Sequence, residues 1–150
     1  MQATILFVVP RFHTNLFFAT KALVDAGARV SVWASGSGGA EDHSHVVPQI
    51  FPDPADTSAL KTAWDALSPD IVFLRNTAKL RVQLAKIGRR AGAALWSYDM
   101  HPWHRHETLS HRFLLWRQGL PIRRITANPG LGEATPDRWA RYLPWPVVTD

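Results

Sequence analysis

Apolar runs of four to six residues recur along the chain, each closed by a turn signal and most followed by a helical period. The first is Ile5 to Val9 (ILFVV), closed by Pro10. A run this short and β-branched, with no polar residue at alternate positions, predicts a strand buried on both faces, and hence a central strand of a parallel sheet. Leu16, Ala19, Leu23 and Ala26 then recur three or four apart, which predicts a helix that Thr14 or Asn15 can cap and Gly27 ends in the left-handed region. Arg29 to Ala34 alternates and predicts a second strand, and Val46 to Phe51 a third, placed at an edge because Pro48 lacks an amide hydrogen. Asp56 or Thr57 opens a helix to about Leu67, with Leu60, Trp64 and Leu67 inward and Ser68-Pro69-Asp70 as its stop. Ile71 to Leu74 is a fourth strand, Thr77 to Ala91 a basic helix closed by Gly92, and Ala93 to Ser97 a fifth strand. His106 to Gly119 reads as a helix and Arg123 to Ala127 as a sixth strand. A helical turn or two is expected over Asp137 to Tyr142, then an extended Leu143 to Val148, because Pro144 and Pro146 forbid a helix there.

This alternation predicts a single domain over residues 1–150 of the Rossmann-like, doubly wound α/β class, a mostly parallel sheet with helices on both faces. In such sheets ligands sit beyond the carboxyl ends of the strands. Three polar clusters occupy those ends: Arg11, His13, Thr14 and Asn15 after the first strand, Arg75 and Asn76 after the fourth, and Tyr98, Asp99, His101 and Trp103 after the fifth. An arginine can fork onto phosphate oxygens. A histidine can hold either protonation state near neutrality. The plainer alternative is that Arg11 or Arg75 pairs with Asp99 and closes the sheet edge.

Composition narrows the chemistry. The net charge of +5 favours anionic partners, although 17 basic residues can also simply solvate a surface. The absence of cysteine excludes disulfides and thiolate chemistry and fits a cytoplasmic protein. No stretch approaches the roughly 20 apolar residues of a membrane helix. The segment from Arg105 to Arg124 interleaves arginines with Phe113, Leu114, Leu115 and Trp116 and could rest on an anionic bilayer, such as the inner membrane face, or could be an ordinary helix with one buried side. No nucleic-acid module is recognisable, so nucleic acid is not an expected partner.

Several signatures are missing. The glycines of Ser35 to Gly39 follow the second strand, not the first, and no G-x-G-x-x-G precedes the first helix, which argues against a nicotinamide or flavin dehydrogenase. No G-x-S-x-G elbow and no phosphate-cradling G-x-x-x-x-G-K-[ST] occurs. Asp99, His101, His104 and His106 have irregular spacing around Pro102, and His43 and His45 sit in a glycine-rich loop, so these are expected to be surface histidines and no metal site is expected.

Taken together, ILFVVPRFHTNLFFATKALVDAGARVSVWA, SPDIVFLRN, SYDMHP and ITANPGLGEATPDRWARYLPWPVV resemble the N-terminal, acceptor-side domain of GT-B glycosyltransferases of the family 4 kind (glycosyltransferase group 1). The resemblance spans nearly the whole chain. It departs where that family often has a glycine-rich loop after strand one, and where it commonly has a histidine just before the aspartate that here follows Tyr98. It implies sugar transfer from a nucleotide-diphosphate donor to an acceptor hydroxyl, with no cofactor and no metal. His13, Asp99 and His101 would be catalytic; Arg11, Thr14, Asn15, Arg75, Asn76, Tyr98 and Trp103 would contact substrate. The donor would be held mainly by a C-terminal domain to which nothing in these residues corresponds, so the domain alone is expected to be inactive. The acceptor would be a sugar, a lipid-linked sugar or a small molecule. Two alternatives stand beside this: a non-catalytic module that binds an anionic ligand, and a nucleotide-sugar epimerase-like domain of the same overall fold.

Overall fold

The structure is a computed structural model that describes residues 2–36, 44–50, 55–75, 79–99, 109–121, 123–126 and 140–142. Its elements run β1 (Thr4–Val9), α1 (Thr14–Asp25), β2 (Arg29–Ala34), β3 (Gln49–Ile50), α2 (Thr57–Leu67), β4 (Ile71–Leu74), α3 (Lys79–Ala91), β5 (Ala94–Asp99), α4 (Leu109–Arg117), β6 (Arg124–Thr126) and β7 (Ala140–Tyr142). The seven strands form one sheet in the order β3-β2-β1-β4-β5-β6-β7, and every pairing is parallel. The expected Rossmann-like doubly wound class is therefore what the chain adopts.

β1 is the centre of this arrangement, and all six of its residues are buried. It pairs with β2 on one side and β4 on the other, with Phe7 opposite both Val32 and Phe73. Its side chains alternate between two cores, as a pleated strand requires. Leu6 and Val8 join Val72 and Leu74 under α2 and α3, where Leu60, Trp64, Leu80 and Leu84 are the main contributors. Ile5, Phe7 and Val9 join Val32 and Ala34 under α1, with Leu16 and Phe12. The helices thus fall on both faces. The amino ends are tied as firmly: the Thr4 amide donates to Asp70 Oδ2 at 2.8 Å and the Arg29 amide to the Ala3 carbonyl at 2.9 Å.

Helix ends follow local chemistry. Asp56 caps α2 by accepting from the Ala59 amide at 2.9 Å. Ser68 ends it in the left-handed region at φ 47°, its amide donating to the Trp64 carbonyl. Gly27 and Gly92 follow α1 and α3 at φ 88° and 77°, which a side chain would strain.

Several boundaries differ from the sequence reading, among them the start of β3 at Gln49 rather than Val46. The residue at the cap position of α1 is His13, not Thr14 or Asn15, and no side chain caps the helix. β5 runs two residues past Ser97, because Tyr98 and Asp99 keep pairing with Ile125 and Thr126. Ala140 to Tyr142 is a strand, not a helical turn, since β6 offers it a parallel edge. The described part of α4 runs from Leu109 to Arg117, and the expected start at His106 lies outside the described residues. The readings of residues 127–139 and 143–150 lie outside the described residues. No described helix is long and apolar enough to cross a membrane.

One close approach gives a test. A Cβ added at Gly88 would lie 2.7 Å from Leu95 Cδ2 and 2.8 Å from Trp64 Cη2. Alanine normally gains about 1 kcal/mol over glycine inside a helix, but overpacking costs about 1–3 kcal/mol, and Trp64 is itself buried and cannot retreat. Gly88→Ala is expected to lower stability by about 1 kcal/mol net. A urea titration checks this: the midpoint should fall with the slope unchanged.

Candidate functional site

The strand order reverses between β1 and β4, so the crevice beyond their carboxyl ends is the switch point of the sheet. From β1 the chain passes through exposed Pro10 and Arg11 and then drives Phe12 into the α1-side core, where it is 1% exposed. This anchor turns the chain into α1. His13 is extended at φ −150°, ψ 164°, and its carbonyl accepts from the Leu16 and Phe17 amides at 2.8 and 3.0 Å. No side chain caps α1, and the helix start carries the positive end of its dipole.

Arg75 leaves β4 one residue beyond Leu74, its amide donating to the Val8 carbonyl at 2.8 Å. Its side chain crosses toward α1, and Nη1 lies 2.6 Å from His13 Nε2. A guanidinium has donors only, so Nε2 accepts, the imidazole is neutral, and its proton sits on Nδ1. Arg75 and His13, 62 positions apart in sequence, are thereby joined across the switch point.

Tyr98 lies in the next strand on the same side. Its ring meets Phe7 edge-on at 6.1 Å, and Phe7 packs on Phe73 at 4.9 Å. Burial pushes the Tyr98 phenol well above its ordinary value, while the positive charge of Arg75 pulls the other way. Tyr98 is thus a floor residue inside β5, not part of a loop after it.

Of the residues singled out from sequence, the structure brings His13 and Arg75 into contact, sets Arg11 on the exposed turn beside them and places Tyr98 beneath. For Thr14, Asn15 and Asp99 only backbone positions are described: the first two open α1 and Asp99 ends β5 opposite Thr126. Asn76, His101 and Trp103 lie outside the described residues. Among the described residues no cluster could hold a metal ion. A cavity of about 290 Å³ lies at the opposite, amino ends of β4 and β5, beside Trp64, Asp65 and Gly92, remote from this chemistry.

His45 corrects the expectation of a surface histidine. Its ring sits edge-on against Phe17 at 4.7 Å, and Nε2 lies 2.8 Å from Thr20 Oγ1. The fully buried Thr20 hydroxyl donates to the Leu16 carbonyl at 2.8 Å, so His45 Nε2 is the donor to Oγ1. His45 therefore fastens the end of the loop after β2 to α1. The available signal was Thr20, a polar residue one turn beyond Leu16 on an apolar stripe, which needs a partner when buried.

The turn also tests whether the residues suit a dinucleotide. The usual cradle uses glycines so that the backbone can approach a pyrophosphate, and an acidic residue at the end of β2 for the ribose. Here the turn carries Arg11, Phe12 and His13, and β2 ends in Trp33 and Ala34 followed by Ser35. These residues do not fit a glycine-cradled dinucleotide.

Comparison with solved structures reports on the fold. The chain is similar to the Bordetella bronchiseptica enzyme WbmH in complex with NAD+ (TM-score 0.57, 10% identity, 85% of this chain and 56% of that one). It is similar to L-threonine dehydrogenase from Clostridium difficile (0.59, 8%, 84% and 53%). It also resembles a Burkholderia cenocepacia J2315 protein assigned as an epimerase (0.52, 13%, 89% and 57%). The chain spans about half the length of these structures. Identities this low carry the fold alone. No protein-family profile matches the chain. No curated protein sequence matches it. The expected place among GT-B glycosyltransferases is corrected by these structures, which belong to the dehydrogenase and epimerase side of the Rossmann-like folds. The segments that carried that resemblance are mainly β1, β4, β5 and the turns that close them, which any doubly wound sheet needs.

The Tyr98 shift sets a pH dependence. An acid whose pKa is raised on folding adds stability that is intact below the unfolded value, near 10.0, and is lost as pH rises above it. The melting temperature is expected to fall from about pH 10, at up to about 1.4 kcal/mol per pH unit from this group. Tyr98→Phe should flatten that part of the curve, as thermal melts from pH 8 to 11 would record.

Proposed function

We propose that the chain is a Rossmann domain of the epimerase–reductase architecture that binds an anionic nucleotide, with the phosphates at the β1–β4 switch point. The observation that carries this is the Arg75–His13 contact, which holds a guanidinium beside the uncapped start of α1. Arg75 and Arg11 offer forked donors, and the helix start adds amides and a positive dipole; together these suit phosphate oxygens. The ligand class follows from the turn. With Phe12 fixing the backbone and no glycine to let phosphates lie against bare backbone, contact must come from side chains, whose forked donors suit the charged, exposed phosphate oxygens of a nucleoside diphosphate or its sugar ester. Nucleotide-sugar epimerisation is the whole-protein activity most in keeping with that ligand and with the epimerase neighbour.

Titration of tryptophan fluorescence with UDP, ADP and NAD+ tests the reading. UDP or ADP is expected to bind, and NAD+ to bind no more tightly than ADP. Arg75→Met should weaken binding about tenfold or more, since a hydrogen bond to a charged group is worth about 1.5–3 kcal/mol. Failure of every nucleotide to bind, or indifference to Arg75→Met, overturns the proposal.

A further inference from the structure

α4 faces outward with the wrong residues for solvent. Leu115 packs into the core beneath α2 and α3, and Leu120 just past the helix is buried there. Residues one and two positions either side of Leu115 must then point away from the core, at about 100° per residue. They are Phe113, Leu114, Trp116 and Arg117. Phe113 is 56% exposed, Leu114 48% and Trp116 62%, and the two aromatic rings stack against each other at 5.7 Å in a tilted pair. Most of the other large apolar side chains in the described core are covered, so a concentration of three on nine residues of helix is a feature of the surface.

The charge around this patch has one sign. α3 contributes five Lys or Arg and no Asp or Glu, and Arg112 to Arg124 contributes four arginines and again no acid. The two stretches are in contact: Arg89 Nη2 donates to the Leu120 carbonyl at 3.4 Å, where the chain leaves α4. Arg117 closes α4 and is exposed. Arg123 is exposed too, its guanidinium 5.8 Å from the centre of the Trp96 ring. Aromatic and leucine side chains therefore project from a helix near the exposed Arg89, Arg90, Arg117 and Arg123.

We propose that this face seats on the surface of an anionic lipid bilayer, with Phe113, Leu114 and Trp116 entering the headgroup–acyl boundary and the arginines of α3, α4 and the α4–β6 turn meeting lipid phosphates. Three features select this occupant. The apolar side chains stand exposed on the outer side of the helix, where they can insert into a soft interface. Indole rings favour the depth where one edge is apolar and the other wet. The surrounding charge supplies about 1 kcal/mol per basic residue close to an anionic membrane. A second copy of the chain is a poor occupant, because a two-fold contact through α4 would bring the same arginines face to face. The patch is remote in function from the switch-point crevice: neither Arg75 nor His13 contributes to it.

Co-sedimentation of the chain with phosphatidylcholine vesicles, with and without phosphatidylglycerol, tests the proposal. Binding is expected only when phosphatidylglycerol is present, falling as salt screens the charge. A Phe113→Ser/Trp116→Ser double variant should lose about tenfold or more of the apparent affinity, from the apolar area withdrawn. Arg117→Glu should lose less but become less salt-sensitive. Circular dichroism melts would confirm that these exposed substitutions leave the fold intact. Trp116 emission should shift to the blue on binding, and a Trp116→Phe variant should lose that shift while still sedimenting. Absence of binding, equal binding to neutral vesicles, or full binding by the double variant overturns the proposal. So does tighter binding to an oligonucleotide than to the vesicles, or self-association in sizing experiments that the double variant abolishes.

Discussion

The rest of the molecule depends on β1 being buried on both faces while paired on both edges. Every polar backbone group of that strand must find its partner inside the sheet, since water cannot reach it. The parallel ladders to β2 and β4 meet that requirement, residue for residue. The same burial forces its side chains to alternate between two cores, which obliges helices to cover both faces. The reversal of strand order beside β1 is then a geometric by-product, and it leaves a crevice whose walls are the first turn after β1 and the residue after β4. The candidate site exists because the central strand had to be completed in two directions.

That crevice is shaped by a choice at Phe12. In the glycine-rich version of this fold the turn after β1 has no side chains, and the ligand lies against bare backbone. Here Phe12 is packed into the core as fully as any leucine of α1, so the turn is held by its own hydrophobic anchor. A turn held this way does not offer bare backbone for phosphates to lie against. Positive charge has to be delivered by longer arms, and Arg75 is the one the structure shows reaching across, held by His13. Fold and chemistry separate at this point: the sheet is of the Rossmann-like kind, and the turn is not the glycine-rich one often found with it.

Much of this was legible in the sequence, and the parts that were not share a cause. Ile5 to Val9 announced a doubly buried strand, Asp56 a cap, Gly27 and Gly92 helix ends, and Pro48 an edge, because each is decided by residues within a few positions. Tyr98 and Ala140 to Tyr142 were misplaced because a strand's length is decided by what pairs beside it, and β6 lies far off in sequence from both decisions. His45 was misread for the same reason: its partners, Thr20 and Phe17, belong to α1, 25 and 28 positions earlier. His13 and Arg75 were each picked out, but as separate strand-end residues; their contact is a property of the strand order. The glycosyltransferase expectation failed at another level. It rested on apolar strands and their closures, and those segments encode the sheet, which unrelated activities share.

The two positively charged regions of the chain also differ in kind, and the difference follows from where helices start and stop. At the switch point the charge is sparse and held: one guanidinium joined to one imidazole, above a buried phenol whose ionisation the interior opposes. Such a site favours an anion of defined shape. At the far ends of α3 and α4 the charge is dense and solvated, on side chains that complement the carbonyl ends of their helices: Arg89 and Arg90 in the last turn of α3, Arg117 in that of α4. Helix ends of this sort attract cations for local reasons, so basic residues gather there without any ligand. What local electrostatics does not account for is the exposed Phe113–Trp116 pair among them. Aromatic rings gain nothing from a helix dipole and lose by contact with water, so charge alone leaves their place on α4 unexplained, and the proposed lipid surface would account for it.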